Sequence, residues 1–298
     1  MSTALVCSSH SPLLYCYDKP PQEWDAIQAA FQTSRDFVEA FNPELVFIFG
    51  TDHFNGFFLN TMPAFCVGLA ANAAADIGGF TGAIDVPENT AMQAIEYLRA
   101  NGLDPAVSYQ MTIDHGFSQT LQLMTGGLDA VPTIPIFINC ITRPFVPFER
   151  TILLGNKLGK FAKSLNKRVL FLASGGMSHH PTRYYPAFGE GEVEVMAWQL
   201  SGGKDPQSMS SEQWLERLDS MHHEGAGMIT RGERTAQDMR LNEASDRRFL
   251  DVLLNQDLNA YENWDQNLLV EAGGIGSMEL QTWIAACAAH YACGGARP

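Results

Sequence analysis

Four histidines of this chain each follow a strand-like run and stand among small polar residues. They are His10, His53, His115 and His179. The runs before the first, second and fourth are apolar enough to predict buried strands, whereas the run before His115 is ambiguous. In an open α/β sheet, residues just beyond the carboxyl ends of the strands line the ligand crevice. Four imidazoles at such an edge would suffice to bind a metal ion and to supply acid and base groups, so the pattern predicts a metalloenzyme.

Two acidic residues adjoin these histidines: Asp52 precedes His53, and Asp114 precedes His115. A carboxylate beside an imidazole orients the ring and fixes its tautomer, so we expect both to support the site. The alternative is that each is a turn residue, because Asp is common at strand ends, where its side chain bonds nearby backbone. From the pattern alone, the other histidines are expected to be structural or on the surface: His180, His222, His223 and His290.

A metal ion bound by two histidines normally requires a carboxylate as well. Two histidines and one carboxylate on one face leave open positions suited to non-haem Fe(II) and oxygen chemistry, although the same donors also suit zinc in a hydrolase. Among 33 acidic residues, Glu279 is one candidate, in the first turn of the last predicted helix. The alternative is a structural glutamate favoured there by the helix dipole, with Ser277 as the N-cap.

The composition limits the class of protein. With 46% hydrophobic and 17% charged residues among 298, the chain has the profile of a globular protein with ample length for a core. A net charge of −14 disfavours binding to nucleic acid or to an anionic membrane. No signal peptide and no apolar span of about 20 residues is visible, so we expect a cytoplasmic protein. Six cysteines without CxxC spacing are expected to be reduced, which argues against a zinc–thiolate site.

Strand-like and helix-like segments alternate from the start of the chain. This rhythm predicts an α/β fold with a central, mainly parallel or mixed sheet that is flanked by helices. Strands are predicted over 45–50, 133–138 and 168–173, and helices over 21–41, 87–99 and 151–165. Further helices are predicted over 190–200, 211–229, 244–254 and 277–293. The C-terminal third should therefore form an extra helical flank of one compact catalytic domain that spans residues 1–298.

Four short motifs follow one another in the sequence. They are Ser9-His10-Ser11-Pro12, Asp52-His53, Asp114-His115-Gly116 and Gly175-Gly176-Met177-Ser178-His179. Together they resemble the type III extradiol ring-cleaving dioxygenases, the superfamily of the protocatechuate 4,5-dioxygenase catalytic subunit. The resemblance runs to about residue 181, fades to about 270 and returns at 279–289. The motifs are specific for the superfamily and less so for the substrate, although they come nearest to the members that act on 2,3-dihydroxyphenylpropionate.

The resemblance implies a role for each matching residue. It places the ligands of Fe(II) at His10, His53 and Glu279, and an acid/base pair at His115 and His179. The implied substrates are O₂ and an aromatic diol, whose ring is opened next to the two oxygenated carbons. The implied protein is a homo-oligomeric enzyme of aromatic catabolism.

Three residues are expected to touch the substrate: Asn139, Arg143 and His180. Arg143 follows the strand that ends at Asn139 and so should lie on the same rim as the histidines. Arg168 precedes its strand and should lie at the opposite edge. A substrate carboxylate would therefore be received by Arg143.

Besides the zinc hydrolase that the same donors would suit, two rival functions stay open at this point. The same residues would serve a dioxygenase of an aminophenol or of another catechol. A metal-binding member without catalytic activity is the other rival. The presence of both His115 and His179 argues against that second rival, because a scaffold has no use for an acid/base pair.

Overall fold

The computed structural model describes residues 2–17, 21–181, 189–255 and 258–296, which form a single α/β domain. The described strands are β1 (Ser2–Ser8), β2 (Leu45–Gly50), β3 (Phe65–Gly68), β4 (Ala71–Ala73), β5 (Gly82–Ile84), β6 (Ala106–Ser108), β7 (Met111–Ile113), β8 (Thr133–Ile138) and β9 (Arg168–Ser174). The described α-helices are α1 (Trp24–Phe41), α2 (Glu88–Ala100), α3 (His115–Thr125), α4 (Phe148–Ser164), α5 (Val193–Ser201), α6 (Ser211–Thr230), α7 (Glu243–Asn255), α8 (Gln266–Gly273) and α9 (Leu280–Cys293). Within the described residues, four short 3₁₀ segments cover Pro12–Tyr15, Leu59–Thr61, Leu258–Asn263 and Ile275–Glu279.

The main sheet is mixed and has the strand order β1–β9–β2–β8–β3–β6. Strands β1, β9, β2 and β8 are parallel, whereas β3 runs antiparallel to β8 and parallel to β6. The carboxyl ends of the four parallel strands therefore meet at one edge of the sheet. A smaller sheet of order β5–β4–β7 leads into α3.

Both faces of the main sheet are buried, which explains the nearly continuous apolar runs of its central strands. In β2, Leu45, Phe47 and Phe49 pack into a core with residues of α2, α4 and α9. The alternate residues Val46 and Ile48 pack on the other face, with residues of α1 and α3. Because side chains alternate along a strand, one apolar run fills two helix–sheet interfaces.

The predicted α/β fold is confirmed, and the predicted strands and helices are present with ends shifted by at most three residues. Helix α1 ends as expected, because Asn42 takes a left-handed conformation (φ 52°) directly before Pro43. Sequence reasoning missed the short strands β3 to β7 and the helices α3 and α8. The 3–4 residues of each of these strands carry too little periodicity to be read from the sequence.

The predicted helical flank is also confirmed, and it covers the edge where the parallel strands end. Trp198 of α5 and Trp214 of α6 stack at 5.1 Å between ring centroids. The indole N–H of Trp198 donates to the carbonyl of Phe54 at 2.8 Å, and that of Trp214 donates to Oδ1 of Asn55 at 3.0 Å. The flank therefore holds the loop that follows β2.

All six cysteines are free thiols, as expected, and five of them are buried. Among the helices of the described residues, none has the length and apolar character needed to span a membrane. The homo-oligomer stays a prediction.

Candidate active site

The fold brings three of the four histidines together through the ends of its strands, and the fourth through a helix. His10 follows β1, His53 follows β2 and His179 follows β9, whereas His115 is the first residue of α3. The ring centroids of His53 and His115 lie 4.3 Å apart, and those of His10 lie 5.2 and 5.3 Å from them. Ring nitrogens of His10, His53 and His115 fall within 4.8 Å of one another.

Glu279 supplies the carboxylate that faces these rings. It is the last residue of the 3₁₀ segment before α9, and only 1% of its surface is exposed. Its carboxylate oxygens lie 3.4 Å from Nε2 of His10, 3.7 Å from Nε2 of His53 and 3.5 Å from Nε2 of His179. The backbone N–H of Gly176 donates to Oε2 at 2.6 Å and holds the carboxylate in place. The expected N-cap role of Ser277 is not observed, because Gly274 stands at the start of this segment and Glu279 itself stands at the N-cap of α9.

Both candidate ligand histidines are held at Nδ1, which leaves Nε2 to face Glu279. Nδ1 of His10 is 3.0 Å from the hydroxyl of Ser174, which also contacts the Thr120 hydroxyl at 2.8 Å. Nδ1 of His53 is 3.0 Å from Oδ2 of Asp114, and the backbone N–H of His53 donates to the same oxygen at 2.6 Å. A partner at one ring nitrogen fixes the tautomer and turns the other nitrogen toward a metal ion.

Asp114 and Asp52 act differently from what their sequence positions suggest. Asp114 orients His53 rather than its neighbour His115, and it also caps α3 by accepting the N–H of Gly116 at 2.8 Å. Asp52 accepts the backbone N–H groups of residues 55, 56 and 57 at 3.0–3.1 Å. Its side chain therefore shapes the loop after β2, as in the turn alternative, and our expectation that it orients an imidazole is not met.

The partner of His115 is Asp76, which sequence reasoning missed. Nδ1 of His115 and Oδ2 of Asp76 are hydrogen-bonded, and both side chains are buried. Asp76 follows β4 within an alanine-rich stretch. The sequence therefore offered one indication of its role, a single acidic residue among small apolar residues. Burial and the charge of Asp114 raise the pKa of Asp76 well above its usual value, whereas burial and His53 lower that of His115 to about 4. Nε2 of His115 is left to face the site.

His179 lies in the loop after β9, with 38% of its side chain exposed. Its Nδ1 donates to the carbonyl of Met177 at 2.8 Å, so Nε2 carries the lone pair that faces Glu279. A Cβ atom on Gly176 would lie 2.4 Å from this ring, and one on Gly276 would lie 2.1 Å from it. Gly176 and Gly276 therefore let the backbone approach the ring closely on both sides.

Burial and neighbouring charges set the protonation of the group. Burial lowers the pKa of His10 to about 3. Burial opposes a charge on Glu279, but the imidazoles of His10 and His53 outweigh it and hold the pKa of that carboxyl below its usual range. For His53, the carboxylates of Asp114 and Glu279 outweigh burial and raise the pKa. His53 therefore holds a proton that a metal ion would displace on binding.

The donor set fits a divalent metal ion. Donor atoms bound side by side to one ion at about 2.0–2.2 Å lie roughly 3 Å apart. The observed 3.4 and 3.7 Å between Glu279 and the two Nε2 atoms need only a small contraction. A second group of donors, Asp76, Asp114 and His115, also lies within 4.8 Å, but Nδ1 of His115 is bonded to Oδ2 of Asp76, and Oδ2 of Asp114 is bonded to His53.

These groups open onto a cavity of about 670 Å³. Its wall includes His222 of α6, which is 4% exposed, whereas the neighbouring His223 is exposed. The expectation that both are structural or on the surface therefore misses the position of His222 in the cavity wall. Apolar side chains complete much of the lining, among them Phe54, Leu59 and Ile141.

Comparison with known proteins identifies the family. The protein-family model described as the catalytic LigB subunit of aromatic ring-opening dioxygenase matches residues 4–292 of this chain. This chain belongs to that family. It is a metal-dependent extradiol catechol dioxygenase, and the expected resemblance is confirmed.

Proteins named 2,3-dihydroxyphenylpropionate/2,3-dihydroxicinnamic acid 1,2-dioxygenase are similar over almost the whole chain. The protein of Rhodococcus rhodochrous is 39% identical over 295 residues, which cover 99% of this chain and 90% of its own. That of a Rhodococcus species is 40% identical (99% and 91% covered), and one from Pseudomonas putida is 36% identical (99% and 91%). A crystal structure of an uncharacterized Escherichia coli K12 protein aligns with 17% identity and a TM-score of 0.34, over 74% of this chain and 88% of that one, and no conclusion is drawn from it.

The three residues expected to touch the substrate lie in different settings. His180 and Arg143 line the cavity. Asn139 is outside the described lining, because its side chain donates to the carbonyl of Thr142 at 2.8 Å and accepts the N–H of the same residue at 3.1 Å. Asn139 therefore shapes the turn that carries Arg143.

Proposed function

We propose that this dioxygenase uses Fe(II) and cleaves a catechol with a carboxylate side chain at the 3-position, such as 3-(2,3-dihydroxyphenyl)propionate. One observation carries the proposal: Nε2 of His10 and of His53 face the carboxylate of Glu279 inside a cavity that also presents His115 and His179. The names of the relatives support the substrate, and the two-histidine, one-carboxylate donor set supports Fe(II).

In this proposal His10, His53 and Glu279 hold the metal. When bound, Fe(II) supplies a shared site for the catechol oxygens and O₂, and a route for electron density between them. Ser174 and Asp114 keep the two imidazoles in the tautomer that offers Nε2, through contacts of 3.0 Å each. The carboxylate stays fixed by the N–H of Gly176.

His179 removes a proton from the catechol. Its Nδ1–H is committed to the carbonyl of Met177, so Nε2 is the nitrogen that accepts, and this atom faces the cavity beside Glu279. The partial exposure of the ring gives the accepted proton a path to solvent. Both requirements of a general base, a free lone pair and reach to the substrate, are met by one side chain.

His115 delivers a proton later, where the O–O bond breaks. A histidine that donates must first carry a positive charge, which its burial opposes. Asp76 offsets this cost because the raised pKa of its carboxyl group lets it share one proton with Nδ1 of His115, so that a positive ring is matched by a negative carboxylate. Both atoms of O₂ enter the product. The two ring carbons whose bond breaks each gain one oxygen atom, so that the hydroxylated carbon becomes a carboxylate and its neighbour a ketone, and no further reductant is needed.

The test separates metal ligands from proton-transfer groups. His10→Ala, His53→Ala and Glu279→Ala should each lose bound iron after anaerobic Fe(II) reconstitution and lose all ring cleavage, measured as formation of the yellow ring-opened product. His223→Ala, at an exposed histidine, is the matched control and should keep both. Stoichiometric iron together with turnover in Glu279→Ala would show that another acid is the ligand. Loss of iron in His115→Gln would make His115 the third ligand instead.

A further inference from the structure

The described lining of the cavity is unusually cationic for a protein of net charge −14. It contains two guanidinium groups, those of Arg143 and Arg234, and one carboxylate, that of Glu279. In the proposed function this carboxylate binds the metal ion, which neutralises its charge. A local positive charge inside a negative protein favours an anionic ligand group that the global field would repel.

Of the two arginines, Arg143 is the one that lies at the exposed rim. Its Nη1 donates to Oδ1 of Asn267, and its guanidinium lies 4.9 Å from the ring centroid of Phe145. A hydrogen bond and a cation–π contact hold this side chain against the rim. These two contacts account for the conformation of Arg143, and no ligand is needed to explain it.

Arg234 lies deeper, in the turn that follows α6, and is half-buried. The turn is fixed by backbone bonds from Glu233 and Arg234 to the carbonyl of Met228, at 2.9 and 3.3 Å. It is also fixed by Asp238, whose carboxylate accepts the N–H and the hydroxyl of Thr235 at 2.8 and 2.7 Å. The guanidinium is thus carried on a rigid turn of the cavity wall.

His180 belongs to the same corner of the cavity. Its backbone N–H donates to the carbonyl of Met239 at 2.8 Å, which ties the loop after β9 to the turn that carries Arg234. Its Nδ1 is buried and has no hydrogen-bond partner within the part of the chain that the structure describes. Burial lowers the pKa of His180, and the charges of Arg240, His179 and Arg234 add to it in that order, so the ring lies among cationic groups that include Arg234. A buried ring nitrogen without a partner costs free energy unless a ligand supplies one.

We propose that Arg234 and His180 together receive the side-chain carboxylate of the substrate. One carboxylate oxygen accepts from the Arg234 guanidinium and the other accepts Nδ1–H of His180, which gives the unpartnered nitrogen its bond. The proposal rests on the proposed function, since it assumes a catechol bound at Glu279 and the histidines. It replaces Arg143, the residue expected from the sequence, as the carboxylate receptor.

The experiment compares one charged substrate with two neutral ones of the same shape. The substrates are 3-(2,3-dihydroxyphenyl)propionate, its propionamide and 3-propylcatechol. For each enzyme the quantity measured is the ratio of KM values between the charged and the neutral substrates, with kcat recorded separately. Because the ratio is internal to each variant, a loss of folded or iron-loaded protein cancels.

Arg234→Gln should raise KM for the propionate about ten- to a hundredfold and leave KM for the neutral substrates within about twofold, because a charge-assisted bond is lost. His180→Leu should give a smaller selective rise of about three- to tenfold, and His180→Asn, whose amide nitrogen can stand near Nδ1, should restore most of it. Arg231→Gln, in the same turn but exposed and paired with Glu233 at 2.8 Å, is the matched control and should keep the wild-type ratio.

Three outcomes would overturn the inference. One is an equal effect of Arg234→Gln on all three substrates, or none on any. Another is a selective rise in KM for the propionate in Arg143→Gln while Arg234→Gln keeps the wild-type ratio, which would show that Arg143 at the rim binds the carboxylate. The third is a wild-type enzyme that cleaves propionate and propylcatechol with the same KM, which leaves the proposed ring cleavage intact. A wild-type enzyme with full Fe(II) that cleaves no catechol would instead refute the proposed function itself.

Discussion

Replacing Asp76 by asparagine tests the proposed proton delivery at the residue that the sequence did not reveal. The amide has the shape of the carboxylate, and its oxygen can still accept Nδ1–H of His115. The other carboxylate oxygen, Oδ1, is buried and has no hydrogen-bond partner among the described residues, so the amide nitrogen can take its place without breaking a bond. Asp76→Asn should therefore keep the ring in place and remove the group that becomes negatively charged when the shared proton lies on His115.

The size of the effect follows from that change of charge. A hydrogen bond to a charged group contributes about 1.5–3 kcal/mol and a neutral one about 0.5–1.5 kcal/mol. A loss of roughly 1–2 kcal/mol in stabilising protonated His115 corresponds to about a 5- to 30-fold lower kcat. Because the anion no longer favours the charged ring, the alkaline limb of the pH–rate profile should also move to lower pH.

The assay is steady-state ring cleavage across pH by the iron-reconstituted enzyme, with iron content measured in the same samples. Asp104→Asn, at an exposed carboxylate away from the site, is the matched control and should behave as wild type. An unchanged kcat with an unchanged pH profile would refute the role of Asp76. Loss of iron would refute it differently, because it would make the group of Asp76, Asp114 and His115 the metal site.

Two further predictions concern the imidazoles. His179→Gln and His115→Gln should keep iron and bind catechol, yet lose about 10²–10⁴-fold in kcat, the usual range for general acid/base catalysis. The first should remove the acid limb of the pH–rate profile and the second the alkaline limb, and an unchanged bell in either variant would contradict its assignment. Ser174→Ala should weaken iron binding about 10- to 100-fold in competition with a chelator, because Nδ1 of His10 loses its partner, whereas Ser164→Ala should have no effect. Equal iron affinity in both serine variants would show that the Ser174 contact does not support the ligand.

The positions of His10, His53 and His179 could be anticipated because each follows a long apolar strand of a parallel sheet. The strand pattern predicts which side chains stand at a carboxyl end, and parallel pairing then brings those ends to one edge. His115 did not follow this logic: the three-residue strand before it is too short to be recognised, and the residue begins a helix instead. Its candidacy rested on the Asp-His pair and on the resemblance to the family.

The partners of the imidazoles could not be read from adjacency in the chain. Asp52 and Asp114 each precede a histidine, yet Asp52 bonds the backbone of its own loop while Asp114 reaches His53, 61 residues away in sequence. The partner of His115 is Asp76, 39 residues away. Such pairings depend on how separate loops pack together, and one sequence contains no local signal for that.

The two halves of the site differ in whether their buried ring nitrogens have hydrogen-bond partners within the protein. On the proposed metal side, each candidate ligand histidine has a partner at Nδ1: Ser174 for His10 and Asp114 for His53. On the side of the C-terminal flank, the buried Nδ1 of His180 has no partner among the described residues. Rigid, fully bonded groups suit the part of the reaction that all catechols share. A polar atom whose bond is left to the ligand suits the part that distinguishes one catechol from another, so we expect substitutions at the sheet edge to change kcat for every substrate and substitutions in the flank to change KM for some.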